Sequence, residues 1–398
     1  IRDRSIVLLF YSSSALIGFE ANGLIDDLEL ASPNSVAKFA LACIVGQAGL
    51  AAGEIVGANR VGSIAAPSKI SNTAPGSFTN ILVGPGFALA ILMLPFYWDR
   101  FDLFGVESYA ETALESRVLR LEDLNAGIKD IFLRDMPATV LICATTAILF
   151  DVQRAPGLRL LAASIIGCYL FTSLLAGNRN LLAATALVPL LYYHFCVKRI
   201  GWFGILWLGI GSYLLINAIG IARSSSDFLE MIELVREKID TEGYGFLEVG
   251  QSSELRTSTN LVRLIVGIDT GEEHLRFGGI LRDNALSIVP RTFWPERPLT
   301  GAEQFAEIFY PGSLASGAGY GSFIFQDPYW DFGFAGVFVI SLLYALLMRA
   351  TYNAFILRSN STHSSLLYAV VYGNLSLFVV RSGMYAGLKN SFIALAPL

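Results

Sequence analysis

Ile288-Val289-Pro290-Arg291-Thr292-Phe293-Trp294-Pro295-Glu296-Arg297-Pro298 is the centre of the one long polar interval, Arg223 to Asp331, in a chain that is otherwise apolar. Three prolines within nine residues forbid a regular helix there. Each removes a backbone donor, fixes its own φ and biases the preceding residue toward extended backbone. Two arginines and two large aromatics stand between them. The segment is therefore rigid, cationic and partly apolar, and it suits an anionic, amphiphilic ligand at a membrane surface. The rest of the sequence reads as a bundle of helices that carries this loop.

Working outward, 54% of the 398 residues are hydrophobic and 15% are charged, against about 25% charged in an ordinary soluble domain. Mean hydropathy is +0.55. The apolar residues gather in runs of about 15–23, the length a helix needs to cross a bilayer. The expected class is an all-α polytopic membrane protein with about ten transmembrane helices and a large helical periplasmic loop. The net charge of -5 says little, because in such proteins the distribution of charge matters more than its sum. Cys43, Cys143, Cys168 and Cys196 all fall in apolar runs without metal-ligand spacing and read as small core residues. The chain starts at Ile1 and its last apolar run reaches Leu398. Both ends are expected to be cropped.

Candidate spans are 5–19, 35–57, 78–98, 136–150, 159–176, 181–197, 200–222, 334–350 and 364–382, with a tenth beginning near Tyr385. The intervals between them alternate. One set is short and basic, with Arg2 and Arg4, Arg60 and Lys69, Arg154 and Arg159, Lys198 and Arg199, and Arg349 and Arg358. The other is acidic or long: 20–34, 99–135, 177–180 and 223–333. Lys and Arg accumulate on the cytoplasmic side, so the long loop is expected to face the periplasm. The expected organisation is 1–222 as spans with an amphipathic outer segment at 99–135, 223–333 as the loop, and 334–398 as the last spans.

Within these segments, Gly46, Gly49, Ala52 and Gly53 form a small-residue stripe that lets another helix approach closely. Glu54 is expected to snorkel or to pair with Arg60. Helices are expected in the loop at 227–238, at 255–268 (amphipathic, against the membrane) and at 282–289. Gly317, Gly319 and Gly321 do not make a dinucleotide fingerprint, because no strand precedes them.

Two kinds of group in and around the loop carry chemistry. Of its arginines, Arg256, Arg263, Arg276, Arg282 and Arg297 read as surface ion pairs. Arg291, between prolines, and Arg179, Arg223 and Arg381, at outward helix ends, read as an anion site, since guanidinium binds phosphate bidentately and keeps its charge. A transfer to a hydroxyl also needs a base, for which Asp283, Glu296, Glu303, Asp327 and Asp331 are the carboxylate candidates and His274 the outward histidine. Asp26 and Asp27 are adjacent, so their side chains diverge and read as a solvated turn. No histidine has zinc-site spacing and no Walker loop is present. The reading calls for no cofactor, no metal and no nucleic-acid partner.

At these residues the chain resembles the Wzy-type polymerases of O-antigen and exopolysaccharide repeat units. Four features carry the resemblance in order: the Gly177-Asn178-Arg179-Asn180 turn that opens a helix, the single large loop in the carboxyl-terminal half, the segment Val289-Pro290-Arg291 to Arg297-Pro298, and Trp330-Asp331-Phe332-Gly333-Phe334-Ala335-Gly336 leading into the next helix. The family's second proline motif carries lysine where this chain has Arg297. The match spans roughly residues 135–385. The resemblance implies a membrane glycosyltransferase with a GT-C-like helical fold in the bacterial inner membrane, active on the periplasmic face. Its substrates would be oligosaccharide units on undecaprenyl diphosphate, and its partners membrane lipids and a chain-length regulator. Arg179, Arg223, Arg291 and Arg381 would bind the diphosphate, and Asp283, Glu296, Glu303 or His274 would be the base. The alternatives are an O-antigen ligase, kept in play by His274, and a flippase. A flippase would place polar groups at mid-membrane in two similar halves, which this sequence lacks.

Overall fold

The computed structural model describes residues 32–59, 136–151, 154–175, 179–201, 257–289, 293–312, 321–358 and 362–395, with single helical positions at 203, 204, 207, 208, 211, 233, 236 and 237. Every regular element among them is helical. In chain order they are α1 (Pro33–Asn59), α2 (Met136–Phe150), α3 (Pro156–Leu175), α4 (Arg179–Tyr192), α5 (Thr257–Thr270), α6 (Gly279–Leu286), α7 (Gly301–Phe309), α8 (Gln326–Tyr352) and α9 (Thr362–Leu395). Two π-turns, Tyr193–Val197 and Asn353–Leu357, extend α4 and α8. Expected spans 5–19 and 78–98, segment 99–135 and most of 200–222 and 227–238 lie outside the described residues.

The chain divides into two compact units. The first comprises Ile1–Ile64, Glu248–Asn353 and Asn374–Ile393. At its heart α1 packs lengthwise on α8, and the glycine stripe is the reason it can. A Cβ on Gly49 would sit 2.5 Å from the Phe338 carbonyl oxygen, and one on Gly53 2.5 Å from that of Leu342. The two backbones touch where a side chain would hold them apart. Gly57 continues the stripe against the stem of Arg349. Glu54, expected to snorkel, is instead buried, because its face of α1 is turned toward the protein interior. Its other expected partner, Arg60, lies outside the described residues.

Helix α5 covers the α1–α8 pair. Leu261, Val262, Leu264 and Ile265 are fully buried, and Lys38 of α1 bonds Asp269 at 2.5 Å. The expectation that this amphipathic helix lies on the membrane is corrected. Its apolar face is covered by protein. The expected helix at 282–289 is shifted to Gly279–Leu286. Helix α7 was not anticipated, although Thr300 and Glu303 form a reciprocal capping box at its start whose Thr-x-x-Glu signature stands in the sequence.

Two breaks shape this unit. In α8, Phe332 and Gly333 leave helical geometry, with Gly333 at φ 60° and ψ −146°. In α9 the break is at Gly383, φ 86°. The first separates a polar turn, 326–331, from the apolar run 334–357. That run is about 36 Å long at 1.5 Å per residue, enough for a hydrocarbon core of roughly 30 Å, so a crossing by this helix would not require 326–331. The break in α9 corresponds to the expected change from span 364–382 to a tenth segment near Tyr385.

The second unit comprises Ala65–Leu247, Ala354–Gly373 and Ala394–Leu398. Here α2, α3, α4 and the start of α9 share an apolar core that includes Leu141, Ile142, Ala144, Tyr169, Val188, Leu366 and Val370. Pro189 lies inside α4, one turn before the π-turn. His194 accepts the Ile200 N–H at Nδ1, 3.1 Å, and so serves the chain reversal after α4.

The described protein is all-α, but ten crossings do not follow from it. Among the described residues two helices are long and apolar enough to cross a membrane, Pro33–Gly57 and the run Gln326–Leu357. The apolar helices Ala138–Phe150, Pro156–Leu170 and Thr185–Val197 are shorter.

Candidate functional site

In the first unit a polar layer gathers around the broken ends of α8 and α9. Its floor is the pair Asp327 and Asp331, one helical turn apart at the start of α8. They are 2% and 0% exposed. The two aspartates are held differently. Asp331 accepts the backbone N–H of Ile280 at 2.9 Å and of Leu281 at 3.0 Å. The N-cap of α6 is Gly278, which offers no side chain, so Asp331 satisfies two donors at that helix end from a distant part of the chain. The chain before α6 is pinned to the same turn, with Arg276 N–H on the Trp330 carbonyl and Phe277 N–H on that of Asp331, both 2.9 Å.

Asp327 has no such support. Among the described residues its Oδ1 is buried without a hydrogen-bond partner. Glycines stand on both sides of it: a Cβ on Gly383 would lie 2.7 Å from Oδ2, and one on Gly301 would lie 3.4 Å from Oδ1. The carboxyl thus fills the space opened by the α9 break and the start of α7. Burial pushes Asp327 up to about 7 and the neighbouring Asp331 charge adds to this, while the Ser322 hydroxyl opposes it. The buried Tyr385 hydroxyl, two residues past the break, lies near both carboxylates.

Above this floor sit α6, the turn after it, and α7. Asp283 has both oxygens bonded, Oδ1 by Arg282 Nε at 2.9 Å and Oδ2 by Gln304 Nε2 at 2.8 Å. The adjacent Glu303 accepts the N–H and hydroxyl of Thr300 through Oε2, at 2.7 and 2.9 Å. Arg297 folds inward and donates from Nη1 to the carbonyls of Ser287 and Val289. This ties the end of α6 to the Trp294–Arg297 turn. Lys389, on the last part of α9, donates to Ser287 Oγ at 3.1 Å. Outside this layer the side chains of Ile288, Val289, Phe293 and Trp294 are exposed, Phe293 at 76%.

The site residues expected from sequence are distributed as follows. Asp283 is bonded by Gln304, the chain neighbour of Glu303. Glu296 is exposed on the Trp294–Arg297 turn, and His274 is exposed on the chain leading to α6. Arg223 and Arg291 lie outside the described residues. Arg179 opens α4 and Arg381 lies in α9 just before its break. The remaining loop arginines follow the ion-pair reading in part: Arg276 pairs with Glu273 at 2.9 Å and Arg282 with Asp283 at 2.8 Å, while Arg263 lies over the Tyr310 ring at 4.5 Å. Lys389 was missed, although a lysine within an apolar run is a signal in its own right. The roles of Gly301 and Gly383 were also missed, and a bare glycine in sequence gives no hint of which distant carboxyl it will face.

Among the described residues no group of three or more His, Cys, Asp or Glu side chains is placed to hold a metal ion. What the layer offers chemically is carboxylates for proton transfer and cations for an anion, beside α1 and α8, the two described helices long and apolar enough to cross a membrane. Compared with protein-family models, with curated proteins and with solved structures, the chain matches none.

Proposed function

We propose that this chain is a membrane glycosyltransferase of the Wzy type, polymerising oligosaccharide repeat units carried on undecaprenyl diphosphate at the periplasmic face of a bacterial inner membrane. The observation that carries the reading is the polar layer itself. Carboxylates and cations are gathered from α6, α7, α8 and α9 at one end of the α1–α8 pair, with exposed aromatics on the proline-rich segment beside them.

In the proposed reaction the acceptor sugar hydroxyl attacks the anomeric carbon of the growing chain. A carboxylate takes the hydroxyl proton, the bond from that carbon to the diphosphate oxygen breaks, and undecaprenyl diphosphate leaves with the electron pair. Arginine stabilises the departing charge without a metal. Arg179, Arg223, Arg291 and Arg381 are assigned to the diphosphate. Of the four base candidates, Asp283 and Glu303 sit within the layer, whereas Glu296 and His274 stand on its exposed margins. The layer therefore favours Asp283 or Glu303.

Purified protein given the lipid-linked repeat unit tests this. Asp283→Asn or Glu303→Gln is expected to lower polymerisation by roughly a hundredfold or more, and Arg291→Ala and Arg179→Ala to impair it. Normal polymerisation by both arginine variants would remove the diphosphate assignment. The second reading, a ligase passing the same donor to a lipid A core, is favoured by the exposed position of His274. It requires His274→Ala to abolish transfer to that acceptor.

A further inference from the structure

Lys389 is a cation of the first unit, carried on α9. It is half-buried near the end of α9, and among the described residues its ammonium makes one hydrogen bond, to Ser287 Oγ at 3.1 Å. That hydroxyl is fixed in turn, because it donates to the Asn284 carbonyl at 2.6 Å. A lysine ammonium carries three donors, so among the described residues two of its protons have no acceptor. A second cation converges on the same residue, since Arg297 Nη1 donates to the Ser287 carbonyl. The charges that act on Lys389 are Arg297, which repels it, and Glu303, which attracts it. Glu303 already accepts two bonds from Thr300 through one oxygen. Lys389 thus keeps two donors unused among the described residues, beside a second cation and in a place of reduced solvent access, where an uncompensated charge is costly.

The surroundings define what would compensate it. Arg297 joins the turn after α6 to the Trp294–Arg297 turn, bonding the Val289 carbonyl at 3.1 Å and giving its N–H to the Trp294 carbonyl at 3.1 Å. The side chains these turns leave exposed are Ile288, Val289, Phe293 and Trp294. A cation pair with an apolar rim suits an anion that carries a hydrocarbon tail.

We propose that Lys389 and Arg297, converging on Ser287, bind a phosphate group of an isoprenoid diphosphate, with the exposed side chains of Ile288, Val289, Phe293 and Trp294 taking the first part of its chain. This rests on the proposed function and extends it. The headgroup site includes a lysine from the last helix that the four arginines do not account for.

Binding of farnesyl diphosphate to the full chain in phosphatidylcholine nanodiscs tests the proposal, with farnesol as the uncharged control. Lys389→Met is expected to weaken farnesyl diphosphate binding by roughly tenfold or more, the loss of one charge-assisted hydrogen bond. Lys389→Arg should stay within a few-fold of the parent, and farnesol should bind weakly to all three. Equal affinity of the parent and Lys389→Met for farnesyl diphosphate overturns the proposal, as does farnesol binding as tightly as the diphosphate. If phosphatidylglycerol in the discs abolishes farnesyl diphosphate binding, the site belongs to a lipid phosphate and the isoprenoid assignment is overturned. Unchanged binding there supports it. Complementation separates this proposal from the function beneath it. A deletion strain restored to full polymer by Lys389→Met keeps the polymerase and removes the Lys389 site. Lys389-dependent binding in a protein whose deletion leaves polymer unchanged keeps the anion site and removes the polymerase.

Discussion

Asp327 and Asp331 show how two like residues, one turn apart, are given different work by their surroundings. Asp331 caps α6 through two backbone N–H groups, so Asp331→Asn, which keeps one acceptor, is expected to cost about 1–2 kcal/mol. The loss should appear as a lowered unfolding midpoint in detergent together with faster amide exchange at Ile280 and Leu281. Unchanged exchange there would contradict the capping role. Asp327 has the opposite signature. Its carboxyl is raised to about 7 in the fold, against about 4 in an unfolded chain. Below both values each state holds the proton and Asp327 exacts no charge penalty. Between about pH 4 and 7 the unfolded chain releases the proton first, so the stability contributed at this site falls as pH rises and levels off above about 7. Asp327→Asn is expected to remove that slope and to gain on the parent toward pH 8 in thermal unfolding. A parent-minus-variant difference independent of pH would rule out a buried, raised carboxyl. Glu303→Gln makes a sharper functional probe than truncation, because glutamine still completes the capping box. Its unfolding midpoint should stay within a degree or two of the parent while any chemistry that needs the charge is lost.

At the level of elements, the α1–α8 pair depends on the absence of side chains. Gly53→Ala is expected to lower stability by about 1–3 kcal/mol, as overpacking against a backbone oxygen does, while Ala51→Val on the exposed side of α1 should change it little. Equal effects at the two positions would mean that the helices do not meet through this stripe. The stripe was legible in sequence because small residues at helical spacing have one physical use in an apolar helix, although its partner was not. The helices at 35–57 and 136–150 were legible for a related reason: an uninterrupted apolar run has few alternatives to a helix. The loop was harder. The apolar face of α5 was assigned to lipid when α1 and α8 cover it, because amphipathicity reveals that a face is buried but not by what. The break at Gly333 was not foreseen, whereas the one at Gly383 falls where span 364–382 was expected to give way to a segment near Tyr385. A Cβ at Gly383 would also meet Asp327 Oδ2, a distant neighbour that the local sequence does not reveal. In Phe332-Gly333-Phe334-Ala335-Gly336 both glycines have a structural use in α8. Gly333 supplies a positive φ and Gly336 lets the chain pass close to the Pro328 carbonyl.

For the whole molecule, the account joins an all-α architecture with at least two membrane-length helices to a polar layer that suits a lipid-linked anionic substrate. On the proposed function, the charge alternation along the chain predicts a periplasmic position for that layer. A cysteine introduced in place of Glu296, on the exposed turn, should therefore react with an impermeant maleimide in intact spheroplasts. Protection until the membrane is permeabilised would invert the topology. The central claim is polymerisation, and the most direct measurement of it is a polysaccharide gel from cells lacking this gene beside a complemented control. The account expects the ladder of long chains to collapse to carrier bearing a single repeat unit, restored by the parent chain. A ladder unchanged by the deletion would contradict it, and long chains accumulating on undecaprenyl diphosphate but missing from lipid A would contradict it in favour of the ligase.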